Sequence, residues 1–255
     1  MTTMLEELDE LLQSEQDSEV IGEDTRVQVS DTTVGPYRYI CQLEYSGPGG
    51  GFLCSGTLIG PRTVLTAGHC IRQDDGRLLT APANMIVTPG RNGANKPYGS
   101  ARAAKFIPFT ASPGAQGTDV GIIQLATPIG ATVGYWTRNW SKSKVDPIGR
   151  SILRGSLPVD PGKLKVNLSG YPGDKPLGTP WRSYDFTKDI EGGVLSYVND
   201  TYGGHSGCPV WVRRAPENGG RVLVAVHVAG SRAAGRNYGV LINSAILKFI
   251  IANTK

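Results

Sequence analysis

The chain has 255 residues and a mass of 27.2 kDa, enough to bury a substantial core as one large domain or two small lobes. No apolar stretch approaches the roughly 18 residues of a membrane-spanning helix, so no membrane span is expected. The net charge of +4 hides an asymmetry: residues 1–19 carry seven acids and no base, leaving 15 acids against 26 bases, or +11, in the remainder. Such a body attracts acidic ligands, but zinc-finger spacing, an RNA-recognition signature and a basic helix are all missing, so nucleic acid is not expected as a partner.

At the start of the chain, Met4, Leu5, Leu8, Leu11 and Leu12 recur at helical spacing on an acidic segment. This lacks the basic start and apolar core of a secretory signal, and residues 1–19 read as a removable pro-segment or N-terminal extension. From Pro36 the pattern changes to strands, over 37–45, 52–59 and 63–67, with a glycine-rich turn at 46–51 and a Gly60-Pro61 turn. Further strands are predicted at 85–88, 120–125, 163–168, 193–198, 209–212 and 222–228. The irregular stretch 131–150 is expected to connect an N-terminal half, 20–130, to a C-terminal half, 151–255. Only 239–252 reads as helix, with Leu241, Ala245, Ile246 and Phe249 on one face. Many short strands with turn signals and one terminal helix predict an all-β protein built from antiparallel barrels.

Chemistry concentrates in two stretches. Thr66-Ala67-Gly68-His69-Cys70 ends a strand-like run, and Gly203-Gly204-His205-Ser206-Gly207 carries a serine on a glycine-flanked turn. A serine hydroxyl is a poor nucleophile unless a base takes its proton, and imidazole is the usual base. Asp119, just before the apolar run 120–125, is the candidate to orient that ring, and the order His69, Asp119, Ser206 is the one found in chymotrypsin-type enzymes. The amides of Gly204 and Ser206 are the candidate oxyanion donors. Only three histidines are present: His69, His205 beside the serine, and His227 in the apolar run 222–231.

Four cysteines are present. Cys54 and Cys70 bracket a hairpin, and a disulfide there would add about 3 kcal/mol by loop entropy and point to an oxidising, extracellular compartment. Cys41 and Cys208 either pair with each other or stay as buried thiols. Without Cys-x-x-Cys or His-x-x-x-His spacing, no metal site is expected.

With these pieces the chain resembles a chymotrypsin-like serine protease, and more closely the bacterial glutamyl endopeptidase branch. Cys54-Ser55-Gly56-Thr57-Leu58-Ile59-Gly60 leading to Thr66–Cys70 is similar to the base-bearing hairpin, and Thr201–Gly207 to the nucleophile loop. Ser169-Gly170-Tyr171-Pro172-Gly173-Asp174-Lys175 is similar to a stretch characteristic of that branch. The resemblance runs from about Val20 to the C-terminus. It implies two six-stranded antiparallel β-barrels with the site in the cleft between them. It also implies that His227, assisted by Thr201 and with a further hydroxyl from Ser231, binds the carboxylate of a substrate glutamate. Val20-Ile21-Gly22 looks like the start of a mature family member, and Glu19 before it suggests scission between Glu19 and Val20. One departure stands out: His205 occupies a position usually held by Asp or Asn. The resulting expectation is a monomeric, cofactor-free serine endopeptidase acting on proteins and peptides with acidic P1 residues. Its rivals are a trypsin-fold protease of different P1 preference and a silent protease-fold binding module.

Overall fold

The computed structural model describes residues 19–47, 50–110, 117–136, 164–213 and 221–255. The expected leader helix and most of the expected 131–150 connection lie outside the described residues. A minimal strand β1 (Val27–Gln28) precedes two closed barrels. The first consists of β2 (Ile40–Gly47), β3 (Gly50–Gly60), β4 (Thr63–Thr66), β5 (Met85–Pro89), β6 (Ala101–Pro108) and β7 (Gly121–Leu125), in the spatial order β2-β3-β4-β7-β6-β5. The second consists of β8 (Lys165–Gly170), β9 (Trp181–Glu191), β10 (Val194–Tyr197), β11 (Pro209–Arg213), β12 (Arg221–Ser231) and β13 (Arg236–Leu241), in the order β8-β9-β10-β13-β12-β11. In each barrel the fourth strand returns to the first, β5 on β2 and β11 on β8. Both barrels therefore share one strand order, and all pairs are antiparallel.

Strand character follows from burial. β4 (Thr-Val-Leu-Thr) and β7 (Gly-Ile-Ile-Gln-Leu) are buried at every residue, which suits continuous apolar runs paired on both sides. β6, β9 and β13 were not anticipated. β6 alternates small buried alanines (Ala101, Ala103) with exposed Arg102 and Ala104, and a register shift between Ala103 and Lys105 breaks the period. In β9 the hydroxyls of Ser183 and Thr187 point inward while Tyr184 and Phe186 face outward, the reverse of the usual hydrophobic pattern.

The expected helix 239–252 needs correction. Residues 236–241 form β13, paired with β10 and β12, because Tyr238, Val240 and Leu241 are buried in the second barrel. Asn243 then starts the helix, its side chain accepting the Ala245 and Ile246 amides at 3.0 Å each. This C-terminal helix, Ser244–Asn253, docks back on the first barrel. Phe249 meets Phe109 edge to face at 5.2 Å, and the Lys255 amide donates to Thr63 Oγ1 at 2.9 Å. A second short helix, Ile129–Val133, opens the stretch expected to be irregular. Tyr37–Tyr39, expected as strand, is a 3-10 turn.

Cys54 and Cys70 form the anticipated disulfide. Cys41 and Cys208 do not pair: both are buried free thiols. The reason is their packing, since Cys41 belongs to the larger apolar cluster, with Leu43, Leu58 and Val87, and Cys208 to a separate one with Val166, Leu168 and Val210. Burial pushes both thiols up, as expected for inert structural cysteines.

Candidate active site

His69 lies in a 3-10 turn (Gly68–Cys70) directly after β4, and Asp119 lies just before β7. Thr66 is paired with Gly121, so the register itself brings the residues after β4 and those before β7 to the same end of the barrel. Asp119 receives both bonds it needs from one residue: the His69 amide donates to Oδ1 at 2.8 Å, and Nδ1 lies 2.6 Å from Oδ2. The side chains are 29% and 12% exposed. Burial works against charge on Asp119, but the facing imidazole, these two bonds and Arg72 outweigh it and hold the carboxyl below its ordinary value. An ionised Asp119 makes Nδ1 the protonated nitrogen and leaves the Nε2 lone pair for base chemistry.

Ser206 lies on the turn before β11, fastened to the first barrel by its main chain. Its carbonyl accepts the Ser55 amide at 2.8 Å and sits 3.5 Å from Sγ of Cys70, the residue after His69. Gly207, at φ +83°, packs where a β-carbon would collide with Ser55 O and Thr66 Oγ1 and lie 2.9 Å from Ala67 N. The turn carrying the serine is thus pressed against the strand that leads to His69.

The direction of the two candidate oxyanion donors follows from the carbonyls before them. In a trans peptide the C=O and the following N–H point opposite ways. Gly203 O accepts the Gly173 amide at 2.7 Å, which turns the Gly204 N–H away from that loop; His205 O accepts the Cys208 amide at 2.8 Å, which does the same for the Ser206 N–H. Among the described residues neither amide has a backbone acceptor, whereas those of His205 and Gly207 are committed to Tyr202 O and His227 O. Gly204 O is held in turn by Ser55 Oγ at 2.7 Å.

His227 is 0% exposed in β12, opposite Gly239 of β13. Its Nδ1 lies 2.6 Å from Tyr197 Oη, and that hydroxyl is 3.0 Å from Tyr238 O. Burial first, then the neighbouring His205 and His69, hold its pKa well below the usual value, so the ring is neutral. Tyr197 was missed at the sequence level because a tyrosine in a strand-like run does not reveal where its hydroxyl ends.

Thr201 donates its hydroxyl to Asn237 Oδ1 at 2.7 Å and its amide to Glu19 O at 2.9 Å. Asn237, also unanticipated, holds the Glu19 main chain on both sides: Glu19 N donates to Oδ1 at 3.0 Å and Nδ2 donates to Glu19 O at 2.7 Å. Asp200 accepts the Ile21 amide at 2.8 Å just beyond Val20. Ser231 has a turn role, its Oγ accepting the Ala234 amide at 3.1 Å. Among the described residues, one group of side chains has metal-ligand spacing, Cys54, His69 and Cys70, and its two sulfurs are joined to each other.

Comparison with known proteins decides the lineage: Trypsin, as a protein family, matches residues 26–251. The chain belongs to the trypsin family. Within it, a glutamyl endopeptidase of Bacillus licheniformis is 39% identical over 214 residues, covering 83% of this chain and 61% of that protein. A Bacillus subtilis protein named extracellular metalloprotease is 35% identical, over 88% of this chain and 66% of its own length. The chain thus spans less than two thirds of these relatives. Among solved structures, a Glu endopeptidase in complex with MPD superposes with a TM-score of 0.73 at 28% identity, covering 91% of this chain and 98% of the other.

Proposed function

We propose that this trypsin-family chain is a serine endopeptidase that cleaves peptide bonds after acidic residues, preferably Glu. The observation that carries the reading is the double contact from His69 to Asp119 beside a turn whose Gly204 and Ser206 amides have no backbone acceptor among the described residues. Ser206 Oγ attacks the scissile carbonyl while His69 Nε2 takes its proton and later returns it to the leaving amine. Asp119 holds the Nδ1–H tautomer and favours the imidazolium, and the amides of Gly204 and Ser206 stabilise the oxyanion. No step calls for a cofactor.

The acidic preference is supported by the buried His227 and its Tyr197 partner and by likeness to glutamyl endopeptidases; for Thr201 to assist, its hydroxyl has to leave Asn237 Oδ1. Tyr197 Oη, which donates to Tyr238 O, anchors the imidazole through Nδ1, and a ring so anchored becomes a donor for a desolvated carboxylate once Nε2 carries a proton. Substrates are proteins and peptides, and the acting unit is a monomer. An extracellular setting is supported by the Cys54–Cys70 disulfide and by the name of the Bacillus subtilis relative, an extracellular metalloprotease. Among the described residues no helix is long and apolar enough to cross a membrane. The division into a leader, 1–19, two barrel-bearing halves, 20–130 and 151–255, and a connection, 131–150, belongs to the same proposal. So does scission between Glu19 and Val20, which N-terminal sequencing of active protein tests.

The decisive experiment profiles cleavage of a denatured protein mixture by wild type, Ser206→Ala and His227→Ala. Wild type is expected to cut after Glu, Ser206→Ala to cut nowhere, and His227→Ala to lose cleavage after Glu more than any residual cleavage. Undiminished hydrolysis by Ser206→Ala ends the serine mechanism; equal loss on all substrates in His227→Ala ends the pocket assignment. A wild-type protein that neither cleaves nor reacts with a serine-directed phosphonate is a binding module.

A further inference from the structure

His205 departs from the residue type expected before the nucleophile, and its surroundings give it work. The ring is 0% exposed and wedged between three segments. Gly170, at the end of β8, lies so close that a β-carbon there would sit 3.1 Å from His205 Cδ2. Trp181, at the start of β9, presents its carbonyl 3.5 Å from Nε2. On the serine turn itself, the Tyr202 amide donates to Nδ1 at 3.1 Å, and the His205 amide donates back to Tyr202 O at 2.9 Å.

These contacts select one form of the ring. A nitrogen that accepts an N–H cannot also carry a hydrogen in that direction, so Nδ1 is bare and the proton belongs on Nε2, facing Trp181 O. Tyr202 O, 3.2 Å from Nδ1, has a second lone pair beside the one taken by the His205 amide, but the Tyr202 amide, 3.1 Å from the same nitrogen, has no other acceptor among the described residues and decides between the tautomers. The consequence reaches the chemistry because the same turn carries the two candidate oxyanion amides. Its carbonyls are pinned from outside, Gly203 O by the Gly173 amide and Gly204 O by Ser55 Oγ. Its Tyr202 amide is pinned from inside, by His205 alone among the described residues.

We infer that His205 is a positioning residue for the nucleophile turn: as the neutral, Nε2-protonated imidazole it binds the Tyr202 amide and braces the turn against β9, which fixes where the Gly204 and Ser206 amides point. This rests on the serine-hydrolase reading of Ser206. It deepens that reading by giving the buried ring the role of a short side-chain acceptor. The charged neighbourhood favours the neutral form. Arg26, from the segment before β1, forks onto Asp24 and Asp174 beneath Tyr202, its guanidinium 5.9 Å from that ring. Burial first and the Arg26 charge second lower the His205 pKa to about 4, against the opposing pull of the Trp181 and Tyr202 backbone contacts and of Asp174. The other titratable groups near it are the buried neutral His227 and the Cys208 thiol, neither of which carries charge near neutral pH.

Two measurements test the inference. Nitrogen-resolved NMR of the imidazoles in Ser206→Ala protein is expected to show His205 with a bare Nδ1 and a protonated Nε2 from pH 7 to pH 5. A protonated Nδ1 at pH 7, alone or in the cation, overturns it, and this readout does not depend on catalysis. In the second, kcat and KM are compared per titrated active site for His205→Asn and His205→Leu. His205→Asn, which keeps an acceptor close to the Nδ1 position, is expected within about threefold of wild type. His205→Leu is expected to lose kcat by roughly 10- to 100-fold with KM within about threefold, since losing a whole oxyanion donor costs roughly 10²–10³. A His205→Leu protein with kcat within twofold of wild type refutes the role. If that variant does not fold, the NMR result decides alone. Failure of the serine mechanism itself shows separately, as undiminished hydrolysis by Ser206→Ala.

Discussion

The buried neutral His205 makes the fold sensitive to acid in a way that can be isolated. In an unfolded chain the imidazole titrates near about 6.5, whereas in the fold it is held to about 4. Between those values the unfolded state binds the extra proton, so each step toward acid favours unfolding; below about 4 both states are protonated and the effect levels off. For this one group, linkage gives a loss of about 2 kcal/mol between pH 7 and pH 5, and about 3 kcal/mol by pH 4. His227 adds a loss of the same sign, and the lowered carboxyls of Asp24 and Asp119 add theirs as pH falls below about 4. The His205 share is therefore read as a difference, from urea unfolding of Ser206→Ala and of the double variant Ser206→Ala with His205→Asn, a background that prevents self-digestion. With a urea slope of about 3 kcal/mol per molar for a chain of this size, the midpoint of the single variant should fall relative to that of the double variant by about 0.7 M between pH 7 and pH 5. A midpoint difference that stays constant across that interval refutes the claim that a neutral imidazole is locked in this turn.

Two further outcomes follow from the geometry. Replacing both Cys54 and Cys70 by Ala opens a link of sequence separation 16; by loop entropy this costs about 3 kcal/mol, which calorimetry should register as a fall in Tm of about 6–12 °C. Asp119→Asn keeps the shape of the pair but removes the charge that selects the Nδ1–H tautomer, so kcat should drop by about 10⁴-fold at neutral pH with a smaller change in KM. Steady-state kinetics checks this, and a loss under tenfold argues against the orienting role of Asp119.

Much of the site was legible in the chain because its chemistry is written in short local segments. A histidine after a strand, an aspartate before one and a serine on a glycine-flanked turn are each recognisable, and their order narrows the enzyme class. The Cys54–Cys70 bridge was legible for the same reason, since it spans a local hairpin. β9 was not, because its buried face is hydroxyl and its exposed face aromatic, so alternation points the wrong way. β13 was mistaken for helix because a strand buried by partners on both sides shows no period of two, leaving Leu241 to fall into step with Ala245 and Phe249.

The sequence by itself determined the class of barrel-forming strands, the hairpin disulfide and which three groups are the candidates for catalysis, because these depend on residue type and near neighbours. The tertiary structure alone decided that Cys41 and Cys208 lie in separate cores, that Tyr197 meets His227, and that Asn237 grips Glu19. It also decided that His205 is buried and accepts the Tyr202 amide. Those relations join residues as many as 218 positions apart. They arise from how the strands and loops of the second barrel pack on one another and on the N-terminal segment, and no local pattern of side chains encodes them.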